Sequence, residues 1–151
     1  MTNKKPSGPP KKSRRKAREF AVQGLYQWAL SASPVEEIEK QLREEKSFAA
    51  VDAEHFATLL RGVIEQAHLL DAMLQPHLDR PIAELSPVEH AILRLAGFEM
   101  QHHPEIPYRV VINEAVELAK SFGGTDGHKF VNGVLDKLAA QVRAVEINSK
   151  S

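Results

Sequence analysis

Apolar residues return at three- and four-residue steps through almost the whole chain, and no stretch alternates apolar with polar residues beside a hairpin turn. That period places one apolar stripe along an α-helix, so the chain has to bury helix faces against one another rather than build a sheet. Ala17, Phe20, Ala21, Gly24, Leu25 and Trp28 define a first helix ending near Leu30, with Ser13 placed to cap its first turn. Ser33-Pro34 opens a second helix, Ser33 capping and Pro34 in first position, with Val35, Ile38 and Leu42 as its stripe. Asp52 caps a third, longer helix carrying Phe56, Leu59, Leu60, Val63, Ile64, Ala67 and Leu70 or Leu74, and Pro76 and Pro81 bracket its exit.

Ser86-Pro87-Val88-Glu89 is the sharpest local signal. Ser86 can accept from the Glu89 amide while Glu89 reaches back to the Ser86 amide, and Pro87 lacks only an amide that has no helical partner there. Val88, Ala91, Ile92, Leu95 and Ala96 form the face behind this cap. After Pro104 and Pro107, Val111, Ile112, Ala115, Val116 and Ala119 repeat at helical spacing, and this outweighs the strand-like look of Val110-Val111-Ile112. Gly123 is placed to end that helix in a left-handed conformation. Thr125 or Asp126 starts the last one, with Phe130, Val131, Val134, Leu135, Leu138 and Val142 inward. Six helical segments with short connections predict an all-α compact bundle, arranged as two packed helical subdomains.

Length and composition fit this reading: 151 residues with 42% hydrophobic content suit one domain with a real core. No run approaches the roughly 18 apolar residues of a membrane helix. The basic N-terminus is followed by no apolar segment of a secretory signal, and cysteine is absent, which excludes disulfides and thiolate chemistry. A cytoplasmic location is the expectation. The formal net charge of zero hides a segregation. Residues 1–18 hold eight basic side chains (Lys4, Lys5, Lys11, Lys12, Arg14, Arg15, Lys16, Arg18) and no acid, which leaves 12 basic and 20 acidic residues, net −8, in the remainder. A polycationic arm on an acidic body points to a polyanionic ligand, against the plainer reading of a solvated tail. The expected organisation is a disordered basic arm over 1–12, a helical domain over 13–145 and a frayed tail over 146–151.

Catalytic and metal patterns are weak. His102 and His103 are adjacent rather than four apart, and Glu99 one turn before His103 completes no zinc motif, so an ordinary wet helix end is expected. Glu114 and Glu117 share a helix face with no acid–base partner pattern near them and read as a solvated or salt-bridged face. Gly123, Gly124 and Gly127 lack the Lys-Ser/Thr ending and the preceding strand of a phosphate loop. Amides at the start of the last helix, with Lys129 in its first turn, could still hold one phosphate, with Asp126 opposing unless it caps. Phe122 stands at a helix end where a core residue is not required and is a candidate for stacking on a base. Phe130 fits the core by periodicity. No catalytic residue, cofactor or metal is expected.

Arg18-Glu19-Phe20-Ala21-Val22-Gln23-Gly24-Leu25-Tyr26-Gln27 resembles the opening helix of the NusB transcription antitermination family. Val88 to Ala96 resembles its central helix, Ile106 to Gly123 its most recognisable stretch, and His128 to Asp136 completes the likeness, which extends over about residues 12–145. The resemblance implies an all-helical fold of two subdomains and a non-enzymatic factor. It implies binding of the boxA element of nascent ribosomal RNA leaders together with the ribosomal protein NusE, in a complex with RNA polymerase and other Nus factors. The family's arginine-rich start falls on Arg14, Arg15, Lys16 and Arg18, and its further RNA-facing residues on Phe122, Asp126, Lys129 and Phe130. Tyr26 and Glu89 fall on its NusE-facing surface. His77 stands where the family often has a tyrosine, and an imidazole can also stack. The family contains monomers and dimers, so a homodimer is compatible with the resemblance. A NusB-like domain also begins a ribosomal RNA cytosine methyltransferase, but no strand with a Gly-x-Gly-like loop follows here. The reading from another class is a purely protein-bridging helical module with an incidental basic tail.

Overall fold

The computed structural model describes residues 12–122 and 126–149. Eight α-helices make up these residues: α1 (Arg14–Ser31), α2 (Val35–Arg43), α3 (Ala53–Glu65), α4 (Ala67–Leu74), α5 (Pro87–His102), α6 (Tyr108–Phe122), α7 (Gly127–Val142) and α8 (Ala144–Asn148). Short 3-10 turns at Lys46–Ala50, Gln75–His77 and Ile82–Glu84 link some of them, and the described residues contain no β-strand. None of these helices is long and apolar enough to cross a membrane.

α5 is the axis of the molecule. Ala91 to Leu93 and Leu95 to Met100 are all buried, so this helix is covered nearly all round. α1 and α3 pack on one side of it as an N-terminal group with α2, while α6 and α7 pack on the other with α8. Between α1 and α3, Phe20, Phe48 and Phe56 meet edge to face at centroid distances of 5.3, 6.4 and 5.1 Å, the arrangement that ring quadrupoles favour.

Three of the expected caps form. Ser13 Oγ accepts from the Lys16 amide, Asp52 from the His55 amide, and Ser86 Oγ from the Glu89 amide. The reciprocal half of the last cap is different: the Glu89 carboxylate lies against Gly127 at the start of α7. A methyl group there would sit 2.8 Å from Glu89 Oε2, so a larger residue would push the end of the Glu89 side chain aside.

The second helix starts one residue later than expected. Pro34 is its cap position and Val35 its first residue, because Ala32 closes α1 in the left-handed region (φ 54°) and the Ser33 hydroxyl pairs with that of Ser31. The long third helix is two: Gln66 (φ −108°, ψ 18°) breaks it, and α4 turns so that Leu70 and Leu74 are fully buried beside α5. The segment expected to fray from Glu146 is helical as far as Asn148. The expected ends at Gly123 and Thr125 lie outside the described residues, as does the basic arm before Lys12.

Candidate nucleic-acid interface

The start of α1 is pinned in place before any ligand is considered. Ser13 N donates to Ala50 O at 2.8 Å and Asp52 N to Ser13 O at 3.0 Å, while Lys12 Nζ donates to Ala49 O. The point where the basic arm meets the fold is therefore fixed against the residues that precede α3.

Beyond that point the four basic residues of α1 separate. Arg14, Arg15 and Lys16 are exposed. Arg14 Nε lies 3.6 Å from Asp52 Oδ2, and Arg15 makes a two-pronged pair with Glu114, Nε to Oε1 at 3.0 Å and Nη2 to Oε2 at 2.7 Å. The hydrogen bonds from Arg15 to Glu114 hold its guanidinium above its ordinary pKa, as an opposite charge does.

Arg18 departs from the expectation that groups it with these three. It is 5% exposed, and its Nε donates to Glu99 Oε1 at 2.8 Å and Oε2 at 3.1 Å. Its position is in line with Val22 and Leu25, which are buried as well. Glu99 also pairs with His55 Nε2 at 2.8 Å, so a buried carboxylate on α5 holds α1 and α3 together. Burial pushes this carboxyl up, but the bonds from His55 and Arg18 outweigh it and hold the group below its ordinary range.

The other residues expected to face RNA, Phe122 excepted, lie around α7 and the turn after α4. Asp126 occupies the cap position of α7 without a side-chain cap bond, and its Oδ1 is 3.8 Å from Lys129 Nζ, both side chains well exposed. Phe130 is half-buried, and the Arg80 guanidinium covers its ring at 4.4 Å from the centroid. A base would have to displace or share that cation. His77 is partly exposed and its Nε2 bonds to Gln141 Oε1 at 2.8 Å. Glu89, expected to face a protein, sits beside this group through Gly127.

Phe122 is elsewhere. It is 37% exposed at the end of α6 and lines a groove of about 500 Å³ together with Val22, Tyr26, Leu30 and Val88. The structure thus brings a residue expected to face RNA next to Tyr26, expected to face a protein. The groove was readable in part: Val22, Tyr26 and Leu30 follow at four-residue steps along one side of α1. The position of Arg80 had no sequence signal, and Glu114, read as part of a salt-bridged face, had none for Arg15 as its partner.

The histidine pair is not simply a wet helix end. His102 Nε2 bonds to Gln66, but His103 turns inward beside His55 (centroids 5.3 Å), and its Nε2 is buried without a partner among the described residues. No three His, Asp or Glu side chains among the described residues are placed to hold a metal ion. Glu114 and Glu117 form a salt-bridged face, Glu117 with Lys120 at 3.4 Å.

The family model described as NusB matches residues 15–140. A transcription antitermination protein NusB of Paraburkholderia phytofirmans is 60% identical over 136 residues, 90% of this chain and 94% of the relative. That of Nitrosomonas eutropha is 57% identical over 139 residues, 92% of this chain and 83% of the relative. Among solved structures, T. maritima NusB superposes with a TM-score of 0.77 at 30% identity, covering 87% of this chain and 94% of that one. A NusB solved with NusE in complex with double-stranded RNA gives 0.77 at 30% identity over 85% of this chain and 96% of that one. The chain belongs to the NusB family of transcription antitermination proteins, regulators that bind RNA and catalyse no reaction.

Proposed function

We propose that this chain binds the boxA element of nascent ribosomal RNA leaders together with NusE and joins the antitermination complex of RNA polymerase and other Nus factors. The observation that carries the RNA half is the segregated charge: eight cations and no acid in residues 1–18, entering the fold at an anchored helix start where Arg14, Arg15 and Lys16 are exposed. The arm supplies charge neutralisation and α7 supplies a second contact through Lys129, with Phe130 and His77 as stacking surfaces beside it. The protein half is the groove of Val22, Tyr26, Leu30, Val88 and Phe122, an apolar recess for a side chain of NusE. In this reading Phe122 serves the protein partner, and Arg18 serves the fold. The relative solved with NusE and RNA supports joint binding.

The test is a titration of the full chain with boxA-like single-stranded RNA at several salt concentrations, with and without NusE. Each phosphate neutralised on a single strand contributes a slope of about −0.7 in log K against log salt. Three to five contacts give roughly −2 to −3.5. A slope near zero removes the basic edge as the RNA anchor. Tyr26→Ala and Phe122→Ala should weaken NusE binding measured without RNA, and loss of RNA affinity alone would reassign the groove. NusE binding with no RNA binding at all would favour the protein-bridging module.

A further inference from the structure

Arg15 is 62% exposed along its side chain, yet both prongs of its guanidinium are closed on Glu114 at 3.0 and 2.7 Å. That carboxylate presents the same two-pronged geometry as a phosphate. Glu19 and Glu117 add negative charge around the same guanidinium. Glu114 is itself only 15% exposed and has a second cation behind it, Arg18 Nη1 at 3.7 Å from Oε1. If Arg15 leaves for a phosphate, Glu114 can close on Arg18 and is not stranded without a counter-charge, which is the step that would otherwise forbid the exchange.

We propose that Glu114 sets the selectivity of the basic edge by competing with RNA phosphate for Arg15. The proposal rests on the RNA-binding reading above. A strand in loose contact meets Arg15 as a neutral pair and gains little from it. A strand already seated by base contacts and by Lys16 places a phosphate beside Arg15 at high effective concentration and takes it from Glu114. Discrimination then comes from an opposing charge in the protein as much as from attraction.

The test uses the full chain, with boxA-like RNA and a scrambled strand of the same composition as probes. Variants are Glu114→Gln, Arg15→Ala, the pair combined, and Lys16→Ala. E114Q should tighten scrambled RNA by about two- to fivefold, the scale of an exposed ion pair. It should steepen the salt slope by about 0.7 and change boxA-like RNA less. Combining it with R15A should abolish the gain. In the parent protein R15A should weaken scrambled RNA less than K16A does. This comparison carries the test even if E114Q lowers stability, as followed by thermal melting.

A gain that survives R15A, equal tightening of both RNAs, or R15A and K16A equal in the parent would overturn the proposal. If the parent is salt-dependent and K16A flattens it while E114Q changes nothing, only this proposal fails. If the parent shows no salt dependence, the RNA-binding reading fails and this one with it.

Discussion

Arg15 and Arg18 lie three positions apart on α1 and meet opposite environments. Arg15 projects to solvent and to a carboxylate on α6, while Arg18 enters the core and holds Glu99, which is fully buried on α5. Removing Arg18 would leave that carboxylate charged in the interior with His55 as its remaining partner, and breaking a buried pair from one side costs roughly 3–5 kcal/mol. Arg18→Ala should therefore lower the denaturant midpoint strongly, whereas Lys16→Ala should leave it nearly unchanged. Equal midpoints for these two variants would place Arg18 with the surface cations after all. The basic cluster was legible in the sequence, but its division was not, because Glu99 and Glu114 lie 81 and 99 positions from their arginines and no local pattern links them. The hint was weaker: Arg18 shares a helical line with Val22 and Leu25.

Helix starts are local events, and they were the most readable elements. Ser13, Asp52 and Ser86 each satisfy an amide in the following turn, and all three act within three residues of themselves. The break at Gln66 is of another kind. Neither glycine nor proline marks it, and its cause is where Leu70 and Leu74 find burial against α5, a property of packing that no window of α3 encodes. For the same reason only the α1 side of the groove, Val22, Tyr26 and Leu30, was readable; its closure by Phe122 was not, since α1 and α6 are brought together only by the fold. Ser86 caps α5, the helix against which α1, α3, α4, α6 and α7 pack, so its loss should register in global stability. Ser86→Ala should cost about 0.5–2 kcal/mol in equilibrium denaturation, and Ser86→Gly only a few tenths. If alanine and glycine cost the same, the hydroxyl is not what closes the helix start.

Besides Glu114 of α6 with Arg15 of α1, three carboxylates among the described residues tie helices together and have depressed pKa values. Glu99 holds α1 and α3 to α5, Glu39 on α2 holds Arg61 of α3, and Asp71 on α4 holds His90 and Arg94 of α5. For each, burial pushes the carboxyl up, and hydrogen bonds from the arginine and histidine partners outweigh it, leaving all three below their ordinary range. A carboxyl whose folded pKa is depressed stabilises the fold fully above its unfolded value and loses that contribution as pH falls toward the folded one. The window therefore opens at about pH 4.5 and extends downward, with no loss expected between about pH 5 and 7 from these groups. All three ties lie in the half built on α1 to α5, whereas the α6–α7 pair is joined mainly by its apolar face, Val111, Ala115 and Leu118 against Val131, Val134 and Leu138. Acid should therefore loosen α1 to α3 before α6 and α7, seen as earlier loss of amide hydrogen-exchange protection in the N-terminal group. Glu99→Gln keeps the shape and removes the most deeply buried charge of the three, so it should lower stability at neutral pH and flatten the decline below about pH 4.5. Parallel decline in the parent and in Glu99→Gln, or simultaneous loss of protection in both halves, would show that acid acts through the net charge of the chain and not through these ties.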